Sequence, residues 1–155
     1  MFLKQVFQEK NIVVNLSSTD KDELFEELVE TIHSHYPYFD KNQALEVLNY
    51  RESKMTTGIM HSVGIPHALI PSINRSIGAI GISKTGIDYD ALDKSPVYVV
   101  FLIIGKENEP EEHMQILKQL ATVLQLPGFV DELLALKNSS EVYDYICKSE
   151  ESLIK

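Results

Sequence analysis

Two histidines in this chain stand where an ionisable ring could do chemistry. His67 lies in the stretch GIPHALIPS, between Pro66 and Pro71 in an otherwise apolar run. Ile65 precedes a proline and is pushed to extended geometry, while Pro66 fixes its own φ and donates no backbone hydrogen bond. The ring therefore sits in a stiff, extended segment that holds a side chain in one direction at low entropic cost, as a reactive group requires. A second role also fits the pattern: a half-buried, hydrogen-bonded structural histidine among Ile, Pro, Ala and Leu. His113 falls in the first turn of a helix predicted to begin at Pro110. Free N–H groups and the positive dipole end make such a turn attractive to an anion. Its other reading is a polar residue facing solvent.

The elements that must position these residues follow from periodicity. NIVVNL, residues 11–16, is a strand candidate. A helix follows it, with Asp20 and Glu23 as a capping box and Leu24, Phe25, Leu28, Val29 and Ile32 as one apolar stripe. Asp40 with Gln43 caps a second helix, KNQALEVLNYRESK. There Ala44, Leu48 and Arg51 lie at i, i+4 and i+7, so the pattern carries Arg51 along the buried line, where a cation needs a partner. TTGIMHSVGIPHALI reads as loop then strand. SIGAIGISKTGIDY reads as strand with a turn at Thr85 and Gly86. VYVVFLIIG, residues 97–105, suits a central strand covered on both faces. In the helix from Pro110 the apolar line is Met114, Leu117, Ala121 and Leu124 with Leu120 beside it, and two shorter helices follow around FVDELLAL and SSEVYDYICKS. Strands alternating with helices predict an α/β fold: a single domain over residues 1–155, with a mixed β-sheet of about five strands flanked by helices on both faces. In open α/β sheets ligands collect beyond the carboxyl ends of strands, which brings His67 and His113 toward one site.

Composition narrows the function. The 155 residues are 44% hydrophobic and 24% charged, enough for a core and inconsistent with disorder. Fourteen basic against 23 acidic residues give a net charge of −9, which argues against nucleic acid or an anionic membrane as partner. The opening MFLKQVFQEKNIVV has no long apolar region and no later run approaches a membrane span, so the expectation is a cytoplasmic protein without direct membrane insertion. The one cysteine, Cys147, excludes an internal disulfide, and its apolar neighbours suggest packing. A zinc hydrolase would need a cluster from the five histidines. His33 and His35 diverge by roughly 200° around a helix, and no His-Glu-x-x-His occurs, so no metal or other cofactor is expected.

Four separated elements, Arg51-Glu52, Thr57-Gly58, Ile65-Pro66-His67 and His113 in its Leu-rich helix, resemble in order and spacing the enzyme IIA domain of the fructose/mannitol type in the bacterial phosphoenolpyruvate-dependent phosphotransferase system. This family includes a nitrogen-regulatory branch, and the resemblance runs from the first helix to the last. It implies that His67 accepts a phosphoryl group, through Nε2, from the phosphohistidine of an HPr-type carrier protein. His67 would pass it to an enzyme IIB or, in the regulatory branch, the phosphorylation state would control a partner protein. It further implies that Arg51 meets the phosphoryl oxygens, that His113 donates a hydrogen bond to them and that Thr57 is a hydroxyl contact, while Glu52 would either orient Arg51 or stand as a solvated carboxylate. The chemistry suits the residue types. A neutral imidazole keeps a lone pair near neutral pH, and a guanidinium fork matches phosphoryl oxygens. Where family members carry more glycine before Ile-Pro-His, this chain has Met60, His61 and Ser62. That difference bears on partner choice, and Ile59 with Met60 would suit either a docking patch or burial.

Overall fold

The structure, a computed structural model, describes residues 2–60 and 62–154, with Ile59 and Met60 described by backbone alone. The chain is organised around one long apolar strand, β6 (Val97–Lys106), in which every residue from Val99 to Gly105 is buried. Its two edges are paired differently. On one side it runs antiparallel to β5 (Ile77–Ile87), which in turn pairs in parallel with β1 (Ile12–Val13). On the other side two short segments follow one another along β6, both parallel to it: β3 (Val63–Gly64) beside Val99 and Val100, and β4 (His67–Ile70) beside Ile103 to Lys106. Finally β2 (Gly58–Met60) pairs antiparallel with β3. With β3 and β4 taken as one interrupted strand, this is the mixed five-strand sheet that the sequence predicts. The interruption falls on Ile65 and Pro66, whose missing N–H cannot extend a ladder. Pairing restarts at His67.

Helices cover both faces. α2 (Lys21–His35) and α3 (Lys41–Lys54) pack one apolar layer, with Leu24, Phe25, Leu28, Ala44 and Leu48, onto Ala68, Ile70, Val100, Leu102 and Ile104. The short α1 (Leu3–Val6), α4 (Pro110–Leu124), α5 (Phe129–Ala135) and α6 (Ser139–Ile154) cover the opposite face, against Ile80, Ile82, Val99, Phe101 and Ile103. Strand alternation decides which side the candidate histidine faces. Since Ala68 and Ile70 belong to the α2–α3 layer, His67 lies on the α4 side. No helix among the described residues is long and apolar enough to cross a membrane.

Several expectations change in detail. Asp20 and Asp40 cap α2 and α3 by accepting from the Glu23 and Gln43 N–H groups at 2.9 and 3.0 Å, but Glu23 closes its own loop onto Thr19 rather than onto Asp20. There is no turn at Thr85 and Gly86. The strand runs on through an irregularity in register, where Gly86 takes a φ of +95° and donates its N–H to the Ser83 hydroxyl. In α4 the buried line is His113, Ile116, Leu120 and Val123, one residue around from the expected one, which leaves Met114 57% exposed. In α3 the buried line continues from Ala44 and Leu48 to Glu52, and Arg51 is exposed.

Candidate functional site

His67 opens β4, and its position there is fixed on both sides. The Pro66 carbonyl accepts from the Ile103 N–H at 3.0 Å, and His67 itself pairs with Ile103. Its ring Nδ1 lies 2.8 Å from the Ile65 carbonyl oxygen. A carbonyl can only accept, so Nδ1 carries the proton and the Nε2 lone pair is left over. Burial pushes the pKa of this ring below the usual histidine value, and the nearby Arg51 charge adds to that, against the opposing pull of the Ile65 hydrogen bond and Glu52. The ring is therefore neutral at pH 7. A neutral imidazole with one defined lone pair is a nucleophile.

His113 comes from the first turn of α4, a helix started by Pro110 at a position where a missing N–H costs nothing. It is 5% exposed, not turned to solvent, and its ring centroid lies 5.4 Å from that of His67. Room for it is made by Gly105 on β6. A Cβ at that position would stand 2.6 Å from His113 Nδ1, so only glycine lets the ring pack this close to the sheet. Burial first, then the neighbouring His67 and Arg51, lowers the His113 pKa to about 4. Neither of its ring nitrogens has a hydrogen-bond partner among the described residues. Buried polar atoms without partners are rare in folded proteins, and here two of them lie beside the His67 ring.

In front of His67 lies an open cleft of about 700 Å³, lined by Val47, Tyr50, Arg51, Lys54, Ile65 and Leu117 among others. Arg51 and Lys54 supply positive charge at its rim, with the Lys54 ammonium 5.0 Å from the centroid of the exposed Tyr50 ring. Thr57 also lines the cleft, but its hydroxyl is already engaged. It donates to Glu52 and lies 2.6 Å from the Tyr89 hydroxyl. Glu52 is buried and pairs with Lys21 Nζ at 3.0 Å, so it does not serve as the partner of Arg51 that the sequence suggests. The structure thus brings His67, His113 and Arg51 to one place, leaves Thr57 on the cleft wall with its hydroxyl engaged, and sets Glu52 one layer behind. Sequence reasoning did not reach Tyr89, Lys21 or Gly105. Of these only Gly105, at the end of the apolar run, carried a signal. The expected docking role of Ile59 and Met60 concerns side chains outside the described residues.

The description "Phosphoenolpyruvate-dependent sugar phosphotransferase system, EIIA 2" belongs to a family whose model matches residues 5–149. The chain is a member of that family. Among curated relatives it is 30% identical over 146 residues to the PTS system fructose-specific EIIABC component of Bacillus subtilis, covering 94% of this chain and 23% of that much longer protein. It is 27% identical over 144 residues to the nitrogen regulatory protein of Pseudomonas aeruginosa, covering 93% of this chain and 94% of the other. The crystal structure of nitrogen regulatory protein IIA-Ntr from Neisseria meningitidis superposes with a TM-score of 0.84 at 24% identity, over 93% of this chain and 98% of that one. This EIIA member shares the open α/β fold of those structures.

Proposed function

We propose that this EIIA protein is a cytoplasmic phosphohistidine carrier, its single domain spanning residues 1–155: it takes a phosphoryl group from an HPr-type carrier protein on His67 Nε2 and passes it to an enzyme IIB. The observation that carries this is the pairing of the two rings, one with a free lone pair and the other with two unpartnered buried nitrogens 5.4 Å away. In the transfer, the Nε2 lone pair forms the new P–N bond as the donor's P–N bond breaks and the donor ring keeps that electron pair. Positive charge develops on the His67 ring. The Nδ1 proton stays where it is, and the Ile65 carbonyl stabilises that charge. Negative charge spreads over the three phosphoryl oxygens, and the Arg51 guanidinium and a His113 N–H meet it. Before transfer the low His113 pKa keeps that ring neutral, so it enters the step as a hydrogen-bond donor and not as a buried cation. The apolar and cationic rim of Tyr50, Lys54 and Leu117 admits a phosphorylated protein surface.

A second reading, control of partner proteins by phosphorylation state, uses the same His67 chemistry. It is supported by the match to the Pseudomonas nitrogen regulatory protein over 94% of that protein's length. Incubation with enzyme I, HPr and phosphoenolpyruvate should add one acid-labile phosphate, absent from His67→Ala. Equal labelling of that variant would refute the assignment, and addition of enzyme IIB separates the readings by whether the label moves on.

A further inference from the structure

Behind the cleft, a buried polar cluster is connected to the acceptor ring by an unbroken line of hydrogen bonds. At its centre is the Glu52 carboxylate, at the buried end of α3. It accepts from the Thr57 N–H at 3.1 and 3.2 Å, from the Thr57 hydroxyl, and from the Tyr89 hydroxyl at 3.2 Å, and it pairs with Lys21 from the start of α2. The Lys21 ammonium also sits 4.6 Å from the centroid of the Tyr89 ring. From Thr57 the line continues through the backbone. The Thr57 carbonyl accepts from the Ile65 N–H at 3.1 Å, and the Ile65 carbonyl accepts from His67 Nδ1 at 2.8 Å. Thr57 thus holds the peptide just before the one whose carbonyl holds the ring, and Glu52 holds Thr57.

Tyr89 is the wedge of this arrangement. It is 1% exposed, and its ring fills the space against Gly58 and Gly64, where a Cβ would come within 2.7 and 3.0 Å of it. These glycines flank the hairpin of β2 and β3 that leads into Ile65 and Pro66. Stability alone is a poor reason for such a cluster, because a buried ion pair is often no better than apolar packing of the same volume. What a satisfied polar network supplies is one geometry.

Resting on the phosphocarrier reading of His67, we propose that Tyr89, Glu52 and Lys21 are positioning residues that hold the Thr57 and Ile65 peptides and thereby fix the orientation and tautomer of the His67 ring. Tyr89 and Glu52 are buried with their polar atoms spent on each other, on Thr57 and on Lys21, so neither touches an incoming phosphoryl group. Their influence must pass through Thr57. This separates the proposal from a direct role of the Thr57 hydroxyl in phosphoryl contact, under which loss of the Tyr89 hydroxyl would leave the tautomer of the His67 ring unchanged.

The test measures the ring-nitrogen NMR shifts of His67, which report its tautomer without any phosphate, beside the initial rate of phosphoryl uptake from phospho-HPr. Tyr89→Phe keeps the wedge and removes one hydroxyl; uptake should fall about three- to tenfold, with a mixed tautomer replacing the single Nδ1–H form. Glu52→Gln should fall further, and Thr57→Ser, which restores the hydroxyl, should keep at least about half the rate of the parent. Wild-type ring shifts and uptake in folded Tyr89→Phe would overturn the proposal, even if that variant melts earlier, and this variant decides alone should Glu52→Gln not fold. A parent protein whose His67 takes no phosphate would refute the carrier reading instead, while the ring shifts would still decide whether the cluster holds the ring.

Discussion

The packing of His113 against Gly105 can be tested by adding one methyl group. In Gly105→Ala the backbone meets no φ penalty, since this strand glycine does not lie in the left-handed region. The new Cβ, however, would stand 2.6 Å from His113 Nδ1 and 3.1 Å from Leu69 Cδ2. Leu69 is a flexible side chain and gives readily. The His113 ring must retreat by about 0.8 Å to reach the 3.4 Å of an ordinary contact. Overpacking of a filled site costs about 1–3 kcal/mol, and a displacement near 1 Å of a group that meets the transition state costs up to about a hundredfold in rate. Gly105→Ala should therefore lose about 1–3 kcal/mol in urea unfolding and about ten- to a hundredfold in phosphoryl uptake measured by rapid quench. The decisive measurement is a double-mutant cycle. In a His113→Ala background the methyl group enters space the ring has left, so its stability penalty should shrink below about 0.5 kcal/mol. Equal penalties in both backgrounds would refute the claim that Gly105 exists to seat the His113 ring.

Two further outcomes follow from the same geometry. Arg51→Lys keeps the charge at the rim of the cleft but loses the planar fork, so phosphoryl uptake should slow about tenfold or more while thermal unfolding is unchanged; a wild-type rate would return Arg51 to the status of a surface cation. The pH dependence of stability has a definite sign. His113 has a folded pKa of about 4 against 6.5 in the open chain, so its neutral form favours the fold; the contribution is complete above pH 6.5 and is lost as pH falls toward 4. Comparing wild type with His113→Gln across that window should reveal a wild-type loss of about 3 kcal/mol that the variant lacks, and parallel curves would contradict the buried neutral ring.

What was legible in the sequence was whatever local chemistry decides. The start of α3 at Lys41 follows from the Asp40 cap, its end at Lys54 from the Thr56-Thr57-Gly58 stretch beyond it, and β6 from its uninterrupted apolar run. The stiffness around His67 follows from its prolines. Errors arose where a distant partner decides. Around α3, Arg51 lies closer by angle to the line of Ala44 and Leu48 than Glu52 does, at 100° per residue. Glu52 is nevertheless the buried one, because Lys21 and Tyr89, from other parts of the chain, satisfy it there. The apolar face of α4 was misread by one residue for a related reason: a histidine does not register as core until the glycine opposite it is known. The four-residue α1 was not expected either. Its first N–H is held by Glu150, which arrives on the last helix. The roles given to His67, His113 and Arg51 came from the family resemblance, whereas their proximity is a property of the fold.

The two-sided pairing of β6 also sets the order in which this molecule becomes competent. His67 leads a strand segment whose only ladder partner among the described residues is β6, later in the chain, and His113 comes later still. On a growing or refolding chain the first part can collapse around α2 and α3, yet the His67 ring lacks its paired strand edge and its His113 neighbour until β6 has docked between β5 and β4 and α4 has folded back over it. Such non-local pairings form late, because loop closure precedes their reward. Acid-labile phosphate on His67 would then be a kinetic marker of the completed native topology, appearing with the last long-range contacts and not with the first helices.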